Sequence, residues 1–363
     1  MTEMLDIDSA WNSFCEGDYN VNSVNTIINN KDEAPKCSQL YISTKTKISY
    51  LSQKIDLEHV FWKIPITPYQ TPQNGIIKKQ MKFNSSSQDQ LDYINSKLAE
   101  YIPESIDQYK PFIDEHIITR IVNPEGRIKF KDVRKISIGL CKKDITSYRC
   151  KKKSAFYNCF VVILRIYHEE TFKEIHVKVF NTGKLEIPGI QSNDILDKTL
   201  ILLTDLLKPY IKSVIPLTYL KDKSETVLIN SNFNCGYFIN REKLFDILKY
   251  KYKVNCAFDP CSYPGIQSEF YYDKTTKIQS GRQPSEILST NNVKVSFMIF
   301  RTGSVLIVGK CPDDILNEIY IFIKNLLETE YTNIKDITST IPITSKNTLV
   351  KRKMRKKIIL TTN

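Results

Sequence analysis

Glycine is scarce, with 11 among 363 residues, and neither G-x-x-x-x-G-K nor G-x-G-x-x-G occurs. Nucleotide-binding loops of either kind are therefore not expected. Histidine is scarcer still: four residues (59, 116, 168, 176) and no H-E-x-x-H give a zinc site little to build on. The nine cysteines (15, 37, 141, 150, 159, 235, 256, 261, 311) contain no C-x-x-C pair. An odd count without a spacing framework reads as reduced intracellular thiols rather than disulfides. Long apolar runs are missing as well. The most apolar stretch, 200–207, is broken by Asp205 and falls far short of a membrane span. The N-terminus, Met1-Thr2-Glu3-Met4-Leu5-Asp6-Ile7-Asp8, is acidic and has no basic-then-apolar signal. These absences predict a protein that is not an enzyme and has no metal, no cofactor and no membrane span.

What is abundant points elsewhere. Seventeen Phe and 20 Tyr can fill a sizeable core, and 363 residues allow about two domains. Lys plus Arg is 52 against 40 Asp plus Glu, a net charge of +12. An excess of that sign suits a polyanion such as nucleic acid, or an anionic membrane surface.

The chain repeats itself. Phe180-Asn181-Thr182-Gly183-Lys184-Leu185-Glu186-Ile187-Pro188-Gly189 stands 120 residues before Phe300-Arg301-Thr302-Gly303-Ser304-Val305-Leu306-Ile307-Val308-Gly309, and both read F-x-T-G-x-x-x-I-x-G. At the same offset Asp194-Ile195-Leu196 matches Asp314-Ile315-Leu316, Ile201 matches Ile321, and Leu206-Leu207 matches Leu326-Leu327. Such agreement at one fixed offset indicates a duplication. Residues 174–180 and 295–300 alternate in polarity and read as strands; the T-G step is a hairpin turn, with Gly accepting positive φ. Residues 184–187 and 305–308 are the return strands. Residues 193–210 and 313–331 carry apolar side chains at helical spacing.

Upstream the offset changes. Ile55-Asp56-Leu57-Glu58-His59-Val60-Phe61 resembles Ile239-Asn240-Arg241-Glu242-Lys243-Leu244-Phe245 at 184, so the first repeat holds about 64 extra residues. Residues 85–101 are polar and helix-compatible. Residues 127–153 carry eleven Lys or Arg against Asp132 and Asp144, and read either as a solvated loop or as an electrostatic contact to phosphates. The expected organisation is an acidic tail (1–38), a first repeat (39–211) with a basic insertion at about 73–155, a linker (212–225), a second repeat (226–331) and a basic tail (332–363).

Phe258-Asp259-Pro260-Cys261-Ser262-Tyr263-Pro264-Gly265-Ile266 resembles the Y-E-P-E-L-F-P-G-L signature of the TATA-box-binding protein family. Phe300-Arg301-Thr302-Gly303 followed by Gly309-Lys310 resembles that family's I-F-x-S-G-K-x-x-x-T-G-A-K. Phe180-Asn181-Thr182-Gly183-Lys184 matches F-S-S-G-K, and Asp56-Leu57 with Tyr69 and Pro72 matches D-L…Y-x-P. The Lys, Asn and Ile richness and the insertion resemble the forms carried by large DNA viruses. The resemblance implies an α+β pseudo-twofold saddle of two repeats: a curved antiparallel sheet with helices on its convex side. The concave face would lie in a widened minor groove, and aromatic wedges would kink the duplex.

Carried over position by position, the resemblance implies wedges at Phe180, Phe300 and Tyr263. In the first repeat the partner wedge falls on Cys159 by counting back from Val162-Ile163-Leu164-Arg165-Ile166, and the adjacent Phe160 is the choice, with Phe156 nearby. Groove or phosphate contacts are expected from Arg165, Lys184, Asn230 (with Asn232 the alternative), Arg301 and Lys310, with Lys151, Lys152 and Lys153 added by the insertion. Asp259 aligns with the family's acidic contact for a factor IIB-like protein. Departures are plain: the base-contacting Thr positions hold Pro188 and Val308, Glu186 faces the groove, and Glu269 replaces a phosphate-binding Arg. The implied function is a transcription initiation factor that binds and bends A·T-rich promoter DNA as a monomer and helps recruit RNA polymerase. The alternative is a saddle-shaped interaction module that has lost DNA binding. The host nucleus or a cytoplasmic viral factory is the expected location, with packaging in the virion a further expectation.

Overall fold

Both T-G steps turn hairpins, and the chain ties each one down in the same way. In the computed structural model, which describes residues 33–101, 110–146, 158–211, 214–284 and 292–336, Gly183 and Gly303 have φ of +86° and +80°. Leu51 N–H donates to Gly183 O at 2.8 Å and Ile55 N–H to Asn181 O at 2.9 Å. In the second repeat Cys235 donates to Gly303 O at 2.9 Å and Ile239 to Arg301 O at 2.8 Å. The donors are 184 residues apart and the acceptors 120, the two offsets seen in the sequence. Any β-carbon on these glycines would run into a backbone carbonyl, that of Gln53 in one repeat and Tyr237 in the other. The duplication is thus a duplication of structure.

The described residues divide into two compact units, one within 46–225 and one built from 33–45 with 226–336. In chain order the strand β1 (Tyr41–Tyr50), helix α1 (Leu57–Lys63), β2 (Gly75–Ser85), α2 (Gln88–Ala99), β3 (Ile113–Val122), β4 (Phe130–Gly139), α3 (Lys142–Thr146), β5 (Cys159–His168), β6 (Thr171–Phe180), β7 (Lys184–Ile190) and α4 (Asn193–Leu207) come first. The first-repeat ladder runs β3-β4-β2-β5-β6-β7. The second repeat has β8 (Glu225–Asn234), α5 (Arg241–Asp246), β9 (Asn255–Ala257), β10 (Ile266–Asp273), β11 (Asn292–Ile299), β12 (Ser304–Gly309), α6 (Asp313–Thr329) and α7 (Tyr331–Ile334), with ladder order β8-β12-β11-β10-β9. The paired strands of both ladders are antiparallel, which gives the expected α+β class.

Local chemistry explains the helices. Asp56 accepts from His59 N–H and Asn240 from Lys243 N–H, each at 3.1 Å, so the same side-chain cap starts α1 and α5. Ser192 caps α4 at 3.3 Å through Ile195 N–H. α4 buries Ile195, Leu196, Leu200, Leu203 and Leu207, and α6 buries Ile315, Leu316, Ile319, Ile323, Leu326 and Leu327. These stripes meet the core faces of their sheets: Ile175, Val177, Val179, Leu185 and Ile187 in the first unit, Val295, Phe297, Ile299, Val305 and Ile307 in the second.

The basic stretch at 127–153 is not a loop through its first half. Residues 130–139 form β4, which pairs with β2 on one side and β3 on the other. Lys131, Val133, Lys135 and Ser137 alternate with Asp132, Arg134, Ile136 and Ile138, so strand alternation was hidden beneath a charge count. Asp132 is fully buried, and its carboxylate takes Arg134 through Nε–Oδ1 at 2.6 Å and Nη2–Oδ2 at 2.7 Å; Arg134 also pairs with Glu115. β2 falls inside the stretch expected to be inserted, yet it holds the ladder position beside β5 that β9 holds beside β10. The added structure therefore begins after β2 and extends the outer edge of the sheet. The helix expected within 85–101 is α2. Of the tails, residues 1–32 and 337–363 lie outside the described residues, while Ser38 N–H donates to Asn234 O at 2.8 Å.

Candidate nucleic-acid interface

Side chains that alternate away from the core of each sheet form a second face, here called open. In the second unit this face is apolar at its centre. Phe300 and Leu306, with Tyr263, Met298 and Val308, form a cluster separate from the main core. Cross-strand register sets the rows. Gln267, Met298, Leu306 and Asn232 line up across four strands, and Glu269, Ser296, Val308 and Asn230 form the next row. The Tyr263 and Phe300 rings are 5.9 Å apart at 60°, and Gly265 leaves the room: its β-carbon would stand 3.0 Å from Phe300 and 3.1 Å from Tyr263. A wedge has to reach a base step, yet Phe300 is only 3% exposed. Its neighbours on the open face pack against it.

Asp259 builds the turn that carries Tyr263. Cys261 N–H donates to its Oδ1 at 3.0 Å, the Ser262 hydroxyl donates to its other oxygen, and Tyr263 N–H donates to Asp259 O at 2.9 Å. The Ser262 hydroxyl, with Cys261 N–H, holds the exposed Asp259 carboxyl below the usual carboxylate range. Asn230 Nδ2 donates to Thr44 Oγ1 at 3.2 Å. Arg301 pairs with Asp336 at 3.2 Å, and Lys310 is exposed beyond β12.

The first unit's open face is more polar. Phe180 is half-buried opposite Cys159, with Lys184 Nζ 5.9 Å above its ring. Glu186 does not stand alone, because Lys178 lies directly across the ladder and bonds it at 2.5 Å. Glu269, on the second unit's face, is likewise held by Lys294 at 2.8 Å, Asn255 at 2.8 Å and Tyr271 OH at 3.0 Å. Lys294 above all keeps its carboxyl low.

Two assignments are overturned by register. Phe160 has no exposed surface; it packs edge-on to Phe61 at 6.4 Å in the core under α1. It neighbours Cys159 in sequence and therefore points to the opposite face. Phe180 pairs with Cys159, and the β10–β11 register continues from Ile266–Ile299 to Gly265 beside Phe300. Tyr263 lies two residues before Gly265, and Tyr157, outside the described residues, lies two before Cys159. Arg165 fails in a related way. Glu269 pairs with Ser296, whose counterpart His176 pairs with Ile163, so Ile163 holds that site and Arg165 sits one rung outward. Arg165 is 6% exposed and its Nη1 donates to Tyr69 O at 2.7 Å and Thr71 O at 2.9 Å, with the guanidinium 4.5 Å over the Tyr69 ring. It fastens a loop and is not available to phosphate. Lys151, Lys152 and Lys153 lie outside the described residues. Among the described residues no group of three or more His, Cys, Asp or Glu could hold a metal, and no helix is long and apolar enough to cross a membrane.

Over 205 residues the chain is 26% identical to a TATA-box-binding protein-like protein of Acanthamoeba polyphaga mimivirus, a match covering 53% of this chain and 54% of the relative. The chain thus resembles, in sequence, a TATA-box-binding protein-like protein. It spans about half the length of that relative. No protein-family model matches it. Among solved structures, Methanococcus jannaschii TBP matches with a TM-score of 0.35 and 12% identity, over 80% of this chain and 99% of that one.

Proposed function

We propose that the protein binds double-stranded DNA in the minor groove through the open faces of its sheets, bends it, and acts in transcription initiation without catalysing a reaction. The observation that carries this reading is the apolar cluster of Phe300, Tyr263, Leu306, Met298 and Val308 on the face away from the helices. A minor groove offers few distinguishing hydrogen-bond groups, so an apolar strand surface with flat side chains at its end suits it. The net charge of +12 supplies the long-range attraction. The name of the mimivirus relative supports the same class. Phe180 and Tyr157 are the first-repeat wedges in this reading, and Tyr157 replaces Phe160. Asp259, with Tyr263 beside it, is the proposed contact for a factor IIB-like protein, and RNA polymerase is the downstream partner. The site of action is proposed to be the host nucleus or a cytoplasmic viral factory.

Gel-shift titration of A·T-rich and G·C-rich duplexes with a bending readout tests this. Bound, bent A·T-rich duplex is the expected result. A second reading is favoured by the Lys178–Glu186 pair and by Glu269, which place carboxylates on the faces that would meet the groove: an interaction module for a protein partner. Absence of binding to either duplex would favour that module.

A further inference from the structure

The open face of the first repeat is not open along its whole length. After β4 the chain turns at Gly139 and lays residues 140–146 across the open side of β2, β5 and β6. Asp144 accepts from Lys78 Nζ at 2.7 and 2.8 Å and from Cys141 N–H at 2.9 Å. Lys142 N–H donates to the Glu174 carboxylate at 3.0 and 3.1 Å. Beneath this segment Ile77, Cys141 and Ile163, with Tyr69, make a small apolar cluster of their own. Ile163 is 2% exposed and Lys78 6%, although both alternate onto the face away from α4. Burial of the Asp144 carboxyl would raise it, but the Lys78 ammonium outweighs that and holds it below the usual range. Among the described residues the second repeat has no such cover, and its β9 leads to β10 through the short turn that carries Tyr263.

We infer that residues 140–146 are an autoinhibitory strap, closed by the Lys78–Asp144 and Lys142–Glu174 contacts, which duplex DNA must displace to reach the open face of the first repeat. The inference rests on reading the open faces as the DNA interface. The fastening suits a displaceable element. α3 has five residues and buries none of them, and the contacts that hold the segment include the Lys78–Asp144 pair, the Lys142–Glu174 contact and the buried Leu140 and Cys141 side chains. A competent state populated at a fraction f weakens apparent affinity by 1/f, so loosening the strap must strengthen binding. The released Lys78 ammonium would then lie on the exposed face, able to meet phosphate.

The test uses the full chain with an A·T-rich duplex, and reads affinity together with hydrogen exchange at the Cys141 and Lys142 amides. Lys78→Asp and Asp144→Lys each place like charges where the pair stood, and the double swap restores a pair at unchanged net charge. Asp144→Lys should bind at least about threefold tighter than the wild type, and the double swap should fall back toward it. In the wild type, adding duplex should speed exchange at the two amides. Binding only by the loosened variants would support the strap most strongly. Duplex bound by the wild type with both amides still protected, or a double swap as tight as Asp144→Lys, would overturn the strap and leave the DNA reading intact. No binding by wild type or variants would overturn both. Should the charge variants fail to fold, the wild-type exchange measurement alone decides.

Discussion

The Tyr263 ring stands 5.9 Å from the Phe300 ring at 60°, and Phe300, 3% exposed, packs with Tyr263, Leu306, Met298 and Val308. A tilted pair of this kind can be parted by a base step without disturbing the core, because the main hydrophobic cluster lies on the other side of the sheet. Unstacking a step costs a few kcal/mol, which the inserted rings must offset. Phe300→Leu, which keeps the cluster filled, should therefore reduce the bend of bound duplex far more than the affinity. A bend angle equal to the wild type would remove Phe300 from the wedge.

Two glycines give a matched pair of stability predictions. Gly183→Ala and Gly303→Ala each force an L side chain to φ above +80° or at it, and press Cβ against the Gln53 or Tyr237 carbonyl. Each should cost more than about 1 kcal/mol in urea unfolding. Unequal losses, with one variant as stable as the wild type, would contradict the equivalence of the two ties.

How much of this could be read in advance is instructive in its unevenness. The 120-residue offset located both hairpins and both long helices, because turn glycines and helical stripes are local signals. Register was not local. The β5–β6 hairpin moves Arg165 one rung out from the site that its sequence neighbours suggest, and a slip of one residue sends Phe160 into the core. The Lys-rich 127–153 stretch hid a strand because Lys131 and Lys135 fall on one face of β4 while Arg134, on the other, is neutralised by the buried Asp132. The strap leaves no local signal, since Asp144 is a minority charge in a basic segment and its partner Lys78 stands 66 residues away in the chain.

Lys79 predicts an unusual pH dependence. It has no exposed surface and donates to Phe61 O at 2.5 Å, Ile64 O at 2.7 Å and Tyr101 OH at 2.7 Å, and among the described residues none of its hydrogen-bond partners is a carboxylate. Burial pushes its ammonium down to about 7. Above that pH and up to the ordinary lysine value, the unfolded chain binds a proton that the folded chain has released. Stability attributable to this group therefore rises with pH across the window, and the penalty is complete below it. Urea unfolding at about pH 6.5 and about pH 9 should show a rise in the wild type that Lys79→Met flattens. Parallel pH profiles would show that Lys79 keeps its charge.

Glu330 predicts the opposite limb. It is 1% exposed and accepts from Lys251 at 2.6 Å, Tyr252 OH at 2.9 Å and Asn333 at 2.9 Å. Burial raises its carboxyl, but Lys251, Asn333 and Tyr252 outweigh it and the net direction is down. Its contribution is present above the ordinary glutamate value and is lost as pH falls through the lower folded one. Glu330→Gln should cost on the order of 1–3 kcal/mol at neutral pH and narrow the gap to wild type in acid. A gap that stays constant down to acid pH would place the stabilisation elsewhere.

The added strands also set an order of events during folding. In the second repeat, β9 finds β10 across 14 residues, from Asn255 to Glu269. In the first, β2 finds β5 across 90, from Gly75 to Arg165. Loop-closure entropy grows by about 0.6 kcal/mol per doubling, so the longer search costs about 1.6 kcal/mol more. The second repeat should therefore acquire its sheet first as the chain collapses, and the first repeat, with its extra edge, should set the pace.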